Sequence, residues 1–81
     1  QIKTPNGVYF PDFEYSDRYI EIKSTFTYKL FTGRHTNQID KVIWTCQNIK
    51  PVQLLVLDTN GKVLKEEWYT NKGVEIKVNL L

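Results

Sequence analysis

The chain has 81 residues, 41% hydrophobic and 25% charged, with a formal net charge of +2 and a single cysteine. That length suits one small globular domain, near the size at which a single core is just sufficient. It holds no apolar run long enough to span a bilayer and no secretory leader, a lone thiol cannot close an internal disulfide, and the slight basic excess is compatible with a polyanion without specifying one.

The chain opens on Gln1 and not on Met, which suggests a piece of something longer. Residues 1–4 read as a short first strand. Pro5-Asn6-Gly7 is a tight-turn signal, because Asn-Gly supplies the positive φ angles of a hairpin. Val8-Tyr9-Phe10 enters the next strand, and Pro11, which has no amide to donate, bends the chain where Asp12 must leave the ladder. After Phe13-Glu14-Tyr15 and the polar turn Ser16-Asp17-Arg18, the run Tyr19-Ile20-Glu21-Ile22-Lys23 alternates with the strand period of two. Glu21 and Lys23 therefore share one face, and Ile20 and Ile22 take the other, which wants a core.

Residues 24–35 are rich in hydroxyls and aromatics, with Lys29 and Arg34 interleaved. The expectation is a continued strand that then loops into a helix. Its hydroxyls, Lys29 and Arg34 suit phosphate contacts, and Tyr28 or Phe31 suits stacking on a base. An amphipathic strand with a polar loop accounts for the same residues. His35 is the only histidine and reads as a solvated residue near a helix start.

Thr36 caps a helix predicted over residues 37–48, in which Ile39, Val42, Ile43, Cys46 and Ile49 recur at three- and four-residue steps. Cys46 is thus a buried core residue of an intracellular protein. The other face carries Asn37, Gln38, Lys41, Thr45 and Asn48, with Asn37 and Lys41 one turn apart; Trp44 lies on the boundary. Pro51 ends the helix. Residues 52–57 are almost wholly apolar, as in a strand covered on both faces, away from an edge and parallel to an earlier strand by a right-handed crossover. A turn at Asp58-Thr59-Asn60-Gly61, a hairpin partner over residues 62–69, a turn at Asn71-Lys72-Gly73 and a half-buried last strand complete the chain. The order β-β-(β)-α-β-β-β gives an α/β (α+β) domain: a small mixed sheet with one main helix.

The chemistry concentrates in residues 11–23. A hairpin folds Asp12 back beside Glu21, and two converging carboxylates offer hard oxygen ligands for Mg²⁺, or for Mn²⁺ as a substitute. Lys23, beside them, can orient a water or neutralise charge on a phosphate. An acidic-any-Lys triplet on a strand is also the pattern of a weak ion pair on a solvated face. The chain carries its own control: Glu75-Ile76-Lys77 repeats the triplet without a preceding Pro-Asp arm and reads as plain surface. The sequence has no zinc-type Cys/His cluster, no Gly-rich phosphate loop and no nucleophile elbow, so no small-molecule cofactor is expected.

Phe10-Pro11-Asp12-Phe13 followed by Tyr19-Ile20-Glu21-Ile22-Lys23-Ser24 resembles the PD-(D/E)XK nuclease superfamily, in its phage and large-virus, homing-type branch. The resemblance covers residues 8–64. It implies a restriction-endonuclease-like core and a Mg²⁺-dependent DNA endonuclease. Asp12, Glu21 and the Ile22 carbonyl would hold the metal, Lys23 would act on the attacking water, and Asn37 and Lys41 would support the phosphate. Cleavage of both strands implies a homodimer or a larger chain with a separate DNA-reading module. Many such nucleases carry an N-terminal helix with a further acidic residue, and nothing precedes the first turn here by enough to form one. The alternative is the same fold as an inactive module that binds nucleic acid or protein through its basic and aromatic segment. A small β-rich interaction domain, with the Pro-Asp arm incidental, is a third.

Overall fold

The computed structural model describes residues 1–33 and 37–81. Strands β1 (Ile2–Thr4) and β2 (Gly7–Tyr9) form a separate two-stranded hairpin, and β3 (Phe13–Glu14), β4 (Tyr19–Lys23), β5 (Val52–Leu57), β6 (Val63–Thr70) and β7 (Gly73–Asn79) form one sheet in that order. Helices α1 (Thr25–Thr32) and α2 (Gln38–Asn48) lie between β4 and β5 in the chain. Beside β5, strand β4 runs parallel, and every other pairing is antiparallel. The fold is a small mixed α+β globule, as the sequence indicates. No helix among the described residues is long and apolar enough to cross a membrane.

The ladder registers align three rows across the sheet: Tyr19, Val52 and Tyr69; Glu21, Leu54 and Glu67; Lys23, Val56 and Lys65. These residues share the face covered by the helices, where Tyr19, Val52, Leu54, Val56 and Tyr69 pack with Phe31 of α1, Val42 and Cys46 of α2, and Ile2 and Tyr9 of the small hairpin. The side chains of β4 alternate between the two faces as expected, but it is Glu21 and Lys23 that enter the helix-covered face, while Ile20 on the other face is buried as well. Glu21 lies on the covered face and is buried, because its row partners and the helices enclose it. Likewise β5 is central but fully covered on one face only: Val52, Leu54 and Val56 are buried, while Gln53, Leu55 and Leu57 are half-buried.

The main departure from expectation is α1, where residues 24–32 leave the strand at once. Ser24 caps the helix: its side chain accepts the Thr27 amide at 3.1 Å, and the Thr27 hydroxyl accepts the Ser24 amide at 2.8 Å. This reciprocal cap, together with burial of Phe31 to 1% exposure, outweighs the weak helix propensity of three threonines. The N-cap of α2 is Asn37, with no side-chain capping bond. The expected Thr36 cap, Arg34 and His35 lie outside the described residues. Thr45, expected on the polar face, is fully buried because its hydroxyl donates back to the Lys41 carbonyl at 2.8 Å. The last strand, expected to be half-buried, is exposed over most of its length, since no helix reaches over β7.

Candidate active site

The site is assembled at the junction of the small hairpin, β4 and the start of α2. Gly7 turns the hairpin with φ +122°, and the β1–β2 pairing sets Tyr9 opposite Ile2, facing the core. From there the Tyr9 hydroxyl donates to Glu21 Oε1 at 2.8 Å. The other oxygen, Glu21 Oε2, lies 3.1 Å from Lys23 Nζ. The same ammonium donates to Gln38 Oε1 at 3.1 Å and stands 5.6 Å above the Phe31 ring. These groups, with Phe10, Lys41 and Val42, line an open depression of about 270 Å³.

Asp12 reaches this assembly by a different route. Past Pro11 the β3–β4 register, Phe13 opposite Ile20, puts Asp12 opposite Glu21, one step beyond the last paired residue. There the Asp12 carboxylate takes the place of a ladder carbonyl and accepts the Ile22 amide through Oδ2 at 2.7 Å. Its negative charge is felt by both Glu21 and Tyr9.

Burial is the main reason that the Glu21 carboxyl holds its proton more tightly than an ordinary glutamate. The Asp12 charge pushes in the same direction, against the Tyr9 hydrogen bond and the Lys23 charge. Burial and the Glu21 charge push the Tyr9 phenol far upward, so it remains a hydrogen-bond donor at any physiological pH. The second Glu-Ile-Lys differs in kind: Glu75 and Lys77 pair at 2.9 Å with side chains 64% and 49% exposed, against 8% and 14% for Glu21 and Lys23.

Hard oxygen donors fit Mg²⁺, which accepts one or two carboxylates and fills its remaining positions with water. Asp12, Glu21 and the Ile22 carbonyl are oxygen donors of that kind, but Asp12 Oδ2 and both Glu21 oxygens already have protein partners, and no cluster of three or more acidic, Cys or His side chains suited to a metal occurs among the described residues. Of the residues expected to bind nucleic acid, Lys41 lines the depression. Asn37 is exposed at the helix cap outside the lining, and Lys29 is exposed in the last turn of α1. Arg34 lies outside the described residues. Tyr28 belongs to a separate cluster: its hydroxyl donates to Glu67 Oε2 at 3.0 Å and accepts from Lys65 Nζ at 2.9 Å, while Tyr69 donates to Glu67 Oε1 at 3.1 Å.

Two lining residues, Tyr9 and Gln38, were not singled out from the sequence. Gln38 had a signal, since it precedes Lys41 by three residues and so shares its helix face. Tyr9 had none beyond its strand, because the contact depends on how the small hairpin packs. No family model, no curated protein and no solved structure matches the chain.

Proposed function

We propose that the chain is the catalytic domain of a Mg²⁺-dependent DNA endonuclease that hydrolyses phosphodiester bonds inside the cell. The observations that support this reading are the Glu21–Lys23 pair at 3.1 Å in the wall of one depression with Lys41, and the Asp12 carboxylate bonded to the Ile22 amide between them in the chain. Lys41 and Lys23 draw a phosphate into the depression and offset its charge. Tyr9 and Lys23 fix both oxygens of Glu21, so the carboxylate is oriented before anything binds. Asp12, Glu21 and the Ile22 carbonyl would hold Mg²⁺, which supplies a water of lowered pKa and neutralises charge on the phosphate. The Lys23 ammonium, held between Glu21 and Gln38, is the group that orients the attacking water.

The test is nicking of supercoiled plasmid with Mg²⁺ and with EDTA. Cutting should require the metal and fall by roughly a hundredfold or more in Asp12→Asn and in Lys23→Ala. Variants that cut as well as the parent would sink the assignment.

A second reading has its own support, because both Glu21 oxygens already have protein donors and a binder without metal needs nothing more. In that case the depression holds a phosphate through Lys23 and Lys41 without cleaving it. Calorimetric titration separates the two: the nuclease takes up Mg²⁺ or Mn²⁺ and loses that uptake in Asp12→Asn. The binder shows no uptake, and its DNA affinity falls with salt.

A further inference from the structure

Two residues were expected to stack on a base, and the fold takes both away: Phe31 is 1% exposed, and the Tyr28 hydroxyl is engaged by Glu67 and Lys65. The aromatic ring that the depression does offer to solvent is Phe10, which lines it and is 67% exposed. Pro11 follows and disfavours a helical backbone at Phe10, so the ring is presented from an extended stretch just past β2.

Cations line the same depression. The Lys41 ammonium has no ion pair among the described residues, while Lys23 and Glu21 are already paired at 3.1 Å. Two ammonium groups therefore face one carboxylate among the lining side chains, and Asp12, held by the Ile22 amide, does not line the opening. This balance suits an anion. At about 270 Å³ the depression is smaller than pockets that enclose a whole drug-sized ligand, so a nucleotide held there by its phosphate keeps its base outside, at the lip where Phe10 stands.

We propose that the depression takes the phosphate of an unstacked nucleotide while its base lies on the Phe10 ring, so that the substrate is unpaired DNA and not intact duplex. Inside a duplex both faces of each internal base are covered by its neighbours, and uncovering one costs unstacking energy. An unpaired strand offers a base face without that cost, and an aromatic ring accepts any base because every base has a π-face. The proposal deepens the nuclease reading by naming its substrate, and it rests on the depression being a phosphate site.

Fluorescence anisotropy of the intact chain, with EDTA present so that nothing is cut, tests the stacking. The probes are a labelled oligothymidylate, the same strand annealed to oligoadenylate, and a chain of the same length that has no bases. The parent should bind the single strand at least about tenfold tighter than the duplex or the base-free chain. Phe10→Ala should lose roughly fivefold to a hundredfold on the single strand and little on the other two, with an unchanged urea midpoint, and Phe10→Trp should keep the parent's preference. Lys41→Ala should weaken all three and lower the salt slope by about one. Equal affinity for strand and duplex, Phe10→Ala binding like the parent, a base-free chain held as tightly as oligothymidylate, Lys41→Ala without effect, or no DNA binding at all would each overturn the proposal. Plasmid nicking judges the nuclease reading separately. Cutting with no Phe10 effect would sink the stacking alone, and stacking with no metal-dependent cutting would sink the nuclease alone.

Discussion

The Lys23 ammonium lies 3.1 Å from Glu21 Oε2 on the buried face of β4, but it offsets only part of the burial of that carboxyl, and the burial couples the stability of the domain to pH. Burial raises the Glu21 pKa above its ordinary 4.5, so the folded state binds that proton more tightly than the unfolded chain. The resulting contribution is fully present below the ordinary pKa and is lost as pH rises through the raised value. In the absence of metal, urea midpoints should therefore fall as the pH rises above the ordinary value of 4.5 and through the raised one, and Glu21→Gln should flatten that slope. Lys23→Met leaves the carboxylate buried without its cation, at a cost of about 3–5 kcal/mol near neutral pH. The loss should shrink in acid, where Glu21 protonates.

Tyr28 makes a different case, because its hydroxyl links Lys65 and Glu67. Tyr28→Phe removes one donor from the buried Glu67 and one acceptor from Lys65, so stability should fall by about 1–3 kcal/mol. DNA affinity and its salt slope should remain those of the parent. A fall in affinity with unchanged stability would instead make Tyr28 a base-contacting residue.

These two cases show what was legible in the residues. Period-two alternation placed Glu21 and Lys23 on one face of one strand, and the Pro-Asp bend placed Asp12 opposite Glu21. Which face would be covered could not be read, because Ile20 and Ile22 are the more apolar pair. The choice is made by tertiary packing: α1 and α2 lie over Glu21, whose charge is met by Lys23 and a tyrosine from the small hairpin. The fate of Tyr28 followed from the same blind spot, since three threonines favour a strand locally while the Ser24 cap and the burial of Phe31 favour a helix. Helix α2 and the β5–β6 hairpin were readable because periodicity, Pro51 and Asp58-Thr59-Asn60-Gly61 all agree.

The cap can be isolated. Ser24→Ala removes the acceptor for the Thr27 amide in a position otherwise exposed to water. The expected cost is about 0.5–2 kcal/mol in chemical denaturation. Because α1 begins directly after Lys23, hydrogen exchange should quicken in its first turn ahead of the rest of the helix.

Gly7 joins the turn chemistry to the candidate site. Its φ of +122° already disfavours a side chain, and a Cβ there would stand 3.1 Å from Lys41 Cε and 3.4 Å from its Nζ. Gly61, at φ +83°, has no atom within 4 Å of the same added carbon, so it reports backbone strain alone. Both Gly7→Ala and Gly61→Ala should lose stability, by about 1–3 kcal/mol each. Only Gly7→Ala should also move Lys41, seen as a shift of its side-chain NMR signals and a weaker phosphate interaction. In a Lys41→Ala background the end of that side chain is gone, and the contact component of the Gly7→Ala effect should vanish while the strain remains. An equal response in both backgrounds would mean that Lys41 does not lean on the hairpin turn, and its place on the wall of the depression would need another support.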